Sequence, residues 1–259
     1  MIDVEIPPQD WLDTVAGYYE ALYHDLKTPM ALLFGHVQSM EKMEKLPPDA
    51  VKCVADIKRA CFRMAKLVRD ANDRSRLNQG LLRPKYVMTD AVGFFRNICE
   101  SAQALMNSKD VKIIFNSPVP SFEMAMDRQL WERVVLNLLA NSKDFSYHGG
   151  EIHVVLQIKG ADFILSIRDF GSGVPDDITS HVFSRHFGDT ERGLRSGLGL
   201  YIVKELAALM NGEVQLVRSN PGTEVMISVP VFYTEDEHEA MTVDDFFADN
   251  MVQMELSNI

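Results

Sequence analysis

The chain has 259 residues, 46% hydrophobic and 24% charged, which suits one or two globular domains. Its net charge is −11, and residues 232–259 hold eight acidic residues with no Lys or Arg. A nearly neutral body with an acidic tail argues against nucleic-acid binding, which needs a basic face. No apolar run approaches the roughly 20 residues that cross a bilayer, and no secretory signal precedes the first element. We therefore expect a cytoplasmic chain without a membrane segment.

Residues 1–80 have the pattern of a helical hairpin. Two runs of apolar residues recur at spacings of mostly three and four, and a loop at residues 44–49 with Pro47 and Pro48 separates them. The first run is Trp11, Val15, Tyr18, Leu22, Leu26, Leu33, Val37 and Met40, and the second is Val54, Ile57, Cys61, Met64, Leu67, Val68 and Ala71. One hairpin cannot cover both stripes by itself. The pattern therefore predicts a homodimer whose four helices form a bundle.

After residue 80 the pattern changes to short strands mixed with helices. We predict strands at 85–88, 111–115, 122–126, 151–158, 163–168, 213–217 and 224–231, and helices at 90–106, 127–145 and 198–210. A helical hairpin followed by mixed strands and helices is an α+β arrangement. The predicted domains are therefore residues 1–80, residues 81–232 and an acidic tail at 233–259. The tail is either disordered or a short amphipathic helix.

His24 opens the segment HDLKTP in the first predicted helix. It is two residues from both Leu22 and Leu26, so it lies about 200° around the helix from the apolar stripe and faces solvent. A neutral imidazole has a nucleophilic nitrogen near pH 7. Asp25 can accept a proton from the other ring nitrogen, and Thr28 shares the face of His24 because it is four residues further on.

The predicted helix at 127–145 contains Asn137 and Asn141 in the segment NLLANS. Residues four apart lie on one face of a helix, so both amides can face one ligand. Amide oxygens are hard ligands of the kind that Mg²⁺ accepts together with phosphate oxygens. Two amides that cap a neighbouring loop are the structural alternative.

Two glycine-rich segments follow a strand and precede a helix. In DFGSG, Asp169 can accept a hydrogen bond from an exocyclic amine, while Gly171 and Gly173 permit close approach of a flat ligand. In SGLGL, Gly197 and Gly199 flank Leu198 at a helix start, where backbone N–H groups bind phosphate. The Asp-Phe-Gly triplet is not that of a protein kinase, because no HRD loop or strand lysine precedes it.

In this order and spacing, the segments resemble those of the sensor histidine kinases of two-component signalling. HDLKTP is similar to their phosphoacceptor box, NLLANS to their asparagine box, and DFGSGV and SGLGLYIVKEL to their two glycine boxes. Phe183 and Phe187 fall where the family has an aromatic lid box. The resemblance covers roughly residues 10–232. It implies a phosphotransfer hairpin followed by an α/β sandwich that binds ATP under a lid.

The resemblance also implies a role for each matching residue. His24 is the phosphoacceptor, with Asp25 as its acid–base partner and Thr28 orienting water for dephosphorylation of a response regulator. ATP and Mg²⁺ are held by the remaining residues, which are Asn137, Asn141 (the metal ligand), Asp169, Gly171, Gly173, Gly197, Leu198 and Gly199. The phosphoryl group then passes to an aspartate in the receiver domain of that regulator.

One position departs from the family pattern. Asp144 stands where relatives often have a cation beside the phosphates, and Lys143, Arg192 or Arg195 could supply the positive charge instead. The departure leaves a second reading open, a pseudokinase that serves as a dimeric partner or phosphatase with weak ATP turnover. An ATPase of the chaperone or DNA-repair type is disfavoured, because such enzymes need no phosphoacceptor.

Overall fold

The structure is a computed structural model. It describes residues 9–43, 46–104, 106, 110–175, 179, 181–184 and 198–233, with backbone alone at residues 9–20, 23, 24, 27, 74, 78, 198 and 218. The chain divides into two compact units between Arg83 and Pro84. No helix in the described part combines the length and the apolar character that a membrane crossing requires.

The first unit is a hairpin of two long helices, α1 (Gln9–Glu41) and α2 (Pro48–Asn78). Pro48 is the first residue of α2, where its missing N–H leaves no helical hydrogen bond unmade. Phe34 of α1 packs on Phe62 of α2 with ring centroids 4.8 Å apart. Nearer the loop, Lys58 Nζ lies 3.0 Å from Glu41 Oε2. These two contacts fix the register of the antiparallel pair.

The buried seam of the hairpin differs from the predicted stripes. The residues that α1 and α2 bury against each other are Met30, Phe34, Val37, Val54, Cys61, Phe62 and Ala65. Leu33, Ile57 and Met64, which belong to the predicted stripes, are 46%, 45% and 43% exposed in the single chain. Spacings of three and four fit two neighbouring faces of a helix, and one partner helix covers only one of them. The second apolar face is open in the single chain.

The second unit contains a five-stranded sheet and a two-stranded sheet. The strands are β1 (Val87–Asp90), β2 (Lys112–Asn116), β3 (Glu123–Met126), β4 (Glu151–Lys159), β5 (Asp162–Asp169), β6 (Glu213–Arg218) and β7 (Thr223–Pro230). The large sheet has the order β2-β4-β5-β7-β6, in which only the β2–β4 pair is parallel. Strand β1 pairs antiparallel with β3.

Three helices, α3 (Ala91–Gln103), α4 (Arg128–Phe145) and α5 (Leu198–Leu209), pack on the large sheet. The helix-facing core contains Trp131 of α4, Phe95 of α3 and Phe163 of β5, whose rings lie 5.3–6.0 Å apart. Asp127 caps α4, since its Oδ1 accepts from the backbone N–H groups of Gln129 and Leu130. A helical first unit followed by a sheet-and-helix unit confirms the predicted fold class, and each predicted element is present within a few residues of its predicted bounds.

Candidate functional site

The asparagines of α4 meet the beginning of α5. Asn137 is 2% exposed, and its Nδ2 donates to the carbonyl of Arg133 at 3.0 Å. A Cβ at Gly199 would lie 3.1 Å from Asn137 Oδ1 and 3.8 Å from Asn141 Nδ2. A Cβ at residue 199 would therefore crowd the amide of Asn137 and be in van der Waals contact with that of Asn141. Two motifs that are far apart in the chain thus form one continuous surface.

Asp169, the last residue of β5, holds together the loop that follows it. Its Oδ1 accepts from the N–H groups of Gly171 at 3.0 Å and Thr223 at 3.3 Å. The residue is 4% exposed, and burial raises the pKa of its carboxyl while these hydrogen bonds act in the opposite direction. Asp169 therefore joins the glycine loop to the start of β7.

Three glycines let this loop lie against two other backbone segments. A Cβ at Gly171 would overlap the carbonyl of Phe145 at the end of α4. A Cβ at Gly222 would overlap the carbonyl of Asp169, and Gly222 also has a φ of +92°. Gly173, with φ +72°, approaches the carbonyl of Gly222. The three glycines are thus required by backbone packing.

A cavity of about 520 Å³ opens beside this loop. Its wall includes Gly171, Gly173 and Thr223, together with Tyr147 after α4 and Leu216 on β6. Neither α4 asparagine belongs to the lining. Asp169 is not part of the lining either, so the cavity adjoins the loop that Asp169 holds together and not its carboxylate. Thr223 and Gly222 were not among the predicted site residues, although a Gly-Thr pair between the last two strands marks them.

Of the three predicted cations of the site, Lys143 is the one that lies within the described residues. Lys143 is 2% exposed and projects about 200° around α4 from Asn141, so its burial gives the predicted phosphate contact no support. Asp144 is partly exposed. Arg192, Arg195 and Gly197 lie outside the described residues, as does the side chain of Leu198.

The predicted phosphoacceptor lies on α1 of the other unit. The backbone of His24 is helical, and its side chain lies outside the described residues. Asp25 and Thr28 are both exposed on the same helix. Among the described residues, no group of three or more His, Cys, Asp and Glu side chains could hold a metal ion. Asn141, which carries an amide, stays the predicted metal ligand.

Comparison with protein families gives two matches in this chain. Residues 20–80 match the His Kinase A (phospho-acceptor) domain. Residues 126–232 match the histidine kinase-, DNA gyrase B- and HSP90-like ATPase domain. Together the two matches cover more than half of the chain and coincide with the hairpin and with most of the sheet unit.

The curated relatives are longer than this chain. The chain is 32% identical over 230 residues to the sensor histidine kinase YvrG of Bacillus subtilis (strain 168), covering 86% of this chain and 38% of the relative. It is 33% identical over 207 residues to the sensor protein CreC of Escherichia coli (strain K12), covering 78% of this chain and 42% of the relative. The chain thus spans about two fifths of the length of these relatives.

Solved structures show the same fold. Full-length ShkA in complex with AMPPNP matches with a TM-score of 0.68 at 22% identity, over 93% of this chain and 54% of that one. The histidine kinase AdeS of Acinetobacter baumannii matches with a TM-score of 0.54 at 20% identity, over 80% of this chain and 97% of that one. At these identities the likeness is one of fold.

Proposed function

Because the chain belongs to the sensor histidine kinases, with a phosphoacceptor domain and an ATPase domain, we propose that it transfers the γ-phosphoryl group of ATP to its own His24. The observation that carries this proposal is the meeting of Asn137, Asn141 and Gly199. Two amides beside a glycine at a helix start fit a site for a metal-bound triphosphate. They fit the alternative, amides that only cap a neighbouring loop, less well.

Asn141 is the proposed ligand of Mg²⁺, and Asn137 supports it. Asn141 is partly exposed, whereas Asn137 is buried and held to the backbone of α4 by its Nδ2. Such an arrangement leaves one amide open to a ligand and keeps the other fixed behind it. When bound, Mg²⁺ would neutralise charge on the phosphate oxygens. The start of α5 adds backbone N–H groups that favour an anion.

Asp169 is the proposed acceptor for the adenine amino group. Its Oδ1 is engaged by the loop backbone, so base recognition falls to the second carboxylate oxygen. The adjoining cavity is large enough for a flat heterocycle and has polar and apolar walls. Gly171 and Gly173 border that cavity, so the base would pack against their backbone.

His24 is the proposed nucleophile. One imidazole nitrogen would attack the γ-phosphorus, a P–N bond would form, and the bond to the β–γ bridging oxygen would break to release ADP. Asp25, the next residue, would accept a hydrogen bond from the second ring nitrogen and stabilise the positive charge that develops on the ring. The exposed positions of Asp25 and Thr28 are compatible with a face that large partners can reach.

We further propose a homodimer and a response-regulator partner. The open apolar face of the hairpin, which includes Leu33, Ile57 and Met64, would be covered by a second copy in a four-helix bundle. The phosphoryl group would pass from His24 to an aspartate of a receiver domain. Thr28 would orient the water that hydrolyses the phosphoryl group on that regulator aspartate.

We propose one role for each of the predicted domains. Residues 1–80 carry dimerisation and phosphotransfer, residues 81–232 bind nucleotide, and residues 233–259 form an acidic tail that lies almost wholly outside the described residues. A substrate such as ATP places both described units in the cytoplasm. The pseudokinase alternative continues to rest on Asp144, which is acidic where relatives often have a cation.

Labelling with γ-phosphate-labelled ATP tests the proposal. The full chain should acquire acid-labile, base-stable phosphate, and both His24→Ala and Asn141→Ala should abolish it. His36→Ala is the matched control, because His36 is an exposed histidine on the same helix. An unlabelled wild type at millimolar Mg-ATP would favour the pseudokinase. Labelling of His24→Ala at the wild-type level would overturn the assignment of the phosphoacceptor.

A further inference from the structure

The residue after Asp169 lies on the opposite face of the large sheet. Phe163 packs against the helices, and Asp169 follows it at an even spacing along β5, so both face the helices. Arg168 lies between these positions and pairs with His153 of β4, so both belong to the face that is turned away from the helices, the outer face. The ring of Phe170 contacts both of them. Phe170 therefore lies on the outer face, directly after the helix-facing Asp169.

Phe170 is held between a guanidinium group and an imidazole ring. The Cζ atom of Arg168 lies 4.6 Å from the centroid of the Phe170 ring, an arrangement in which a cation is attracted to the aromatic face. The His153 ring meets it edge to face, with centroids 4.9 Å apart and an interplanar angle of 70°. His153 is itself fixed, because its Nε2 lies 2.9 Å from Glu151 Oε2. The half-buried ring of Phe170 is therefore fastened to two neighbouring strands, β4 and β5.

The loop that begins with Phe170 has no other large side chain before residue 174. Residues 171–173 are Gly, Ser and Gly, and glycine leaves the backbone more conformational freedom than any other residue. The N–H of Gly171 donates to Asp169 Oδ1 at 3.0 Å, and this N–H belongs to the peptide that joins Gly171 to Phe170. Movement of Phe170 therefore moves the donor that orients the Asp169 carboxylate.

We propose that Phe170 is a positioning residue for base recognition by Asp169. Its two contacts on the outer face fix the peptide that carries the Gly171 N–H. That N–H and the N–H of Thr223 hold Asp169 Oδ1, so Phe170 sets the direction of the second carboxylate oxygen. The second oxygen is the proposed acceptor for the adenine amino group, so the inference rests on the proposed function. Phe170 acts on the nucleotide from the face opposite to the Asp169 carboxylate.

Calorimetric binding of Mg-ATP and of magnesium inosine triphosphate (Mg-ITP) to the full chain tests this role. ITP has a carbonyl oxygen in place of the adenine amino group, so wild type should bind it about tenfold more weakly. Phe170→Ala should weaken Mg-ATP binding about fivefold, because a loop that is correctly arranged only about one fifth of the time lowers the apparent affinity by that factor. Its affinity for Mg-ITP should stay within about twofold of wild type, since ITP donates no hydrogen bond to the carboxylate. Phe170→Tyr keeps the ring with both contacts and should retain wild-type affinities.

Met226→Ala is the matched control for loss of an apolar side chain from the outer face. Met226 is half-buried there, because it alternates along β7 with the buried Val225 and Ile227. This variant should keep the wild-type ratio of ATP to ITP affinity, even if it unfolds at a lower temperature. A wild-type ratio in Phe170→Ala would overturn the inference, as would an equal loss of affinity for both nucleotides. A wild type that binds the two nucleotides equally would overturn the proposed role of Asp169 itself, and the inference with it.

Discussion

Asp169→Asn separates base recognition from support of the loop. Asparagine keeps an oxygen that can accept from Gly171 and Thr223, as Asp169 Oδ1 does at 3.0 and 3.3 Å. It replaces the second carboxylate oxygen with an amide nitrogen that donates. If that oxygen accepts from the adenine amino group, the variant sets two donors against each other. Asp169→Asn should therefore fold normally and bind ATP weakly.

The expected loss of binding follows from one unpaired buried polar group. Such a group costs about 1–3 kcal/mol, which corresponds to an affinity about 5- to 150-fold lower. Titration calorimetry of Mg-ATP with the full-length chain measures it directly. Asp169→Ala is the comparison variant, because it also removes the two loop hydrogen bonds, each contributing about 1 kcal/mol to stability. Only the alanine variant should lose stability along with affinity.

The pH dependence of stability gives the same variant a second readout. Burial raises the pKa of Asp169, so the folded chain holds the proton of this carboxyl more tightly than the unfolded chain does. The contribution of Asp169 to stability therefore falls as pH rises from about 3.9 through the raised pKa, and the fall is complete above it. Asp169→Asn does not titrate, so its stability relative to wild type should rise across this window in thermal unfolding.

Two outcomes would refute this reasoning. Wild-type ATP affinity in Asp169→Asn would mean that the carboxylate does not recognise the base. Equal destabilisation by the asparagine and alanine variants would mean that the loop needs the negative charge and not merely an acceptor oxygen.

Three further predictions concern other residues. Gly222→Ala should lose about 3 kcal/mol or more of unfolding free energy, because its Cβ would overlap the carbonyl of Asp169. Gly160→Ala should lose only about 1–2 kcal/mol, because its Cβ would have no atom within 4 Å and the positive φ is its sole cost. Chemical denaturation compares the two, and equal losses would contradict the packing argument. Asp144→Lys should tighten Mg-ATP binding several-fold in calorimetry, since a surface charge beside phosphate contributes about 1 kcal/mol; an unchanged affinity would place the side chain away from the phosphates. Thr28→Ala should keep autophosphorylation and lose regulator dephosphorylation, and a parallel loss of both activities would indicate general damage to α1.

The order of the helices and strands could be predicted from the sequence because the signals are local. Apolar periodicity marks α1, α2 and α4, alternation marks β4, and a short apolar run marks β5, each within a few residues of the element. The chemistry-bearing motifs are similarly short. His24, Asn141 and Asp169 were identified from segments of six to eight residues, and the family matches fall on the same regions. Residue types at fixed spacing carry this information without any long-range contact.

Only the tertiary structure decided which faces and segments meet. Periodicity could not choose between Leu33 and Phe34 as seam residues, since each repeats at helical spacing and only the position of α2 decides between them. No local pattern predicted that Lys143 is buried or that Gly222 packs closely against the carbonyl of Asp169. Such facts follow from contacts between distant segments, which packing fixes and a short stretch of sequence does not contain.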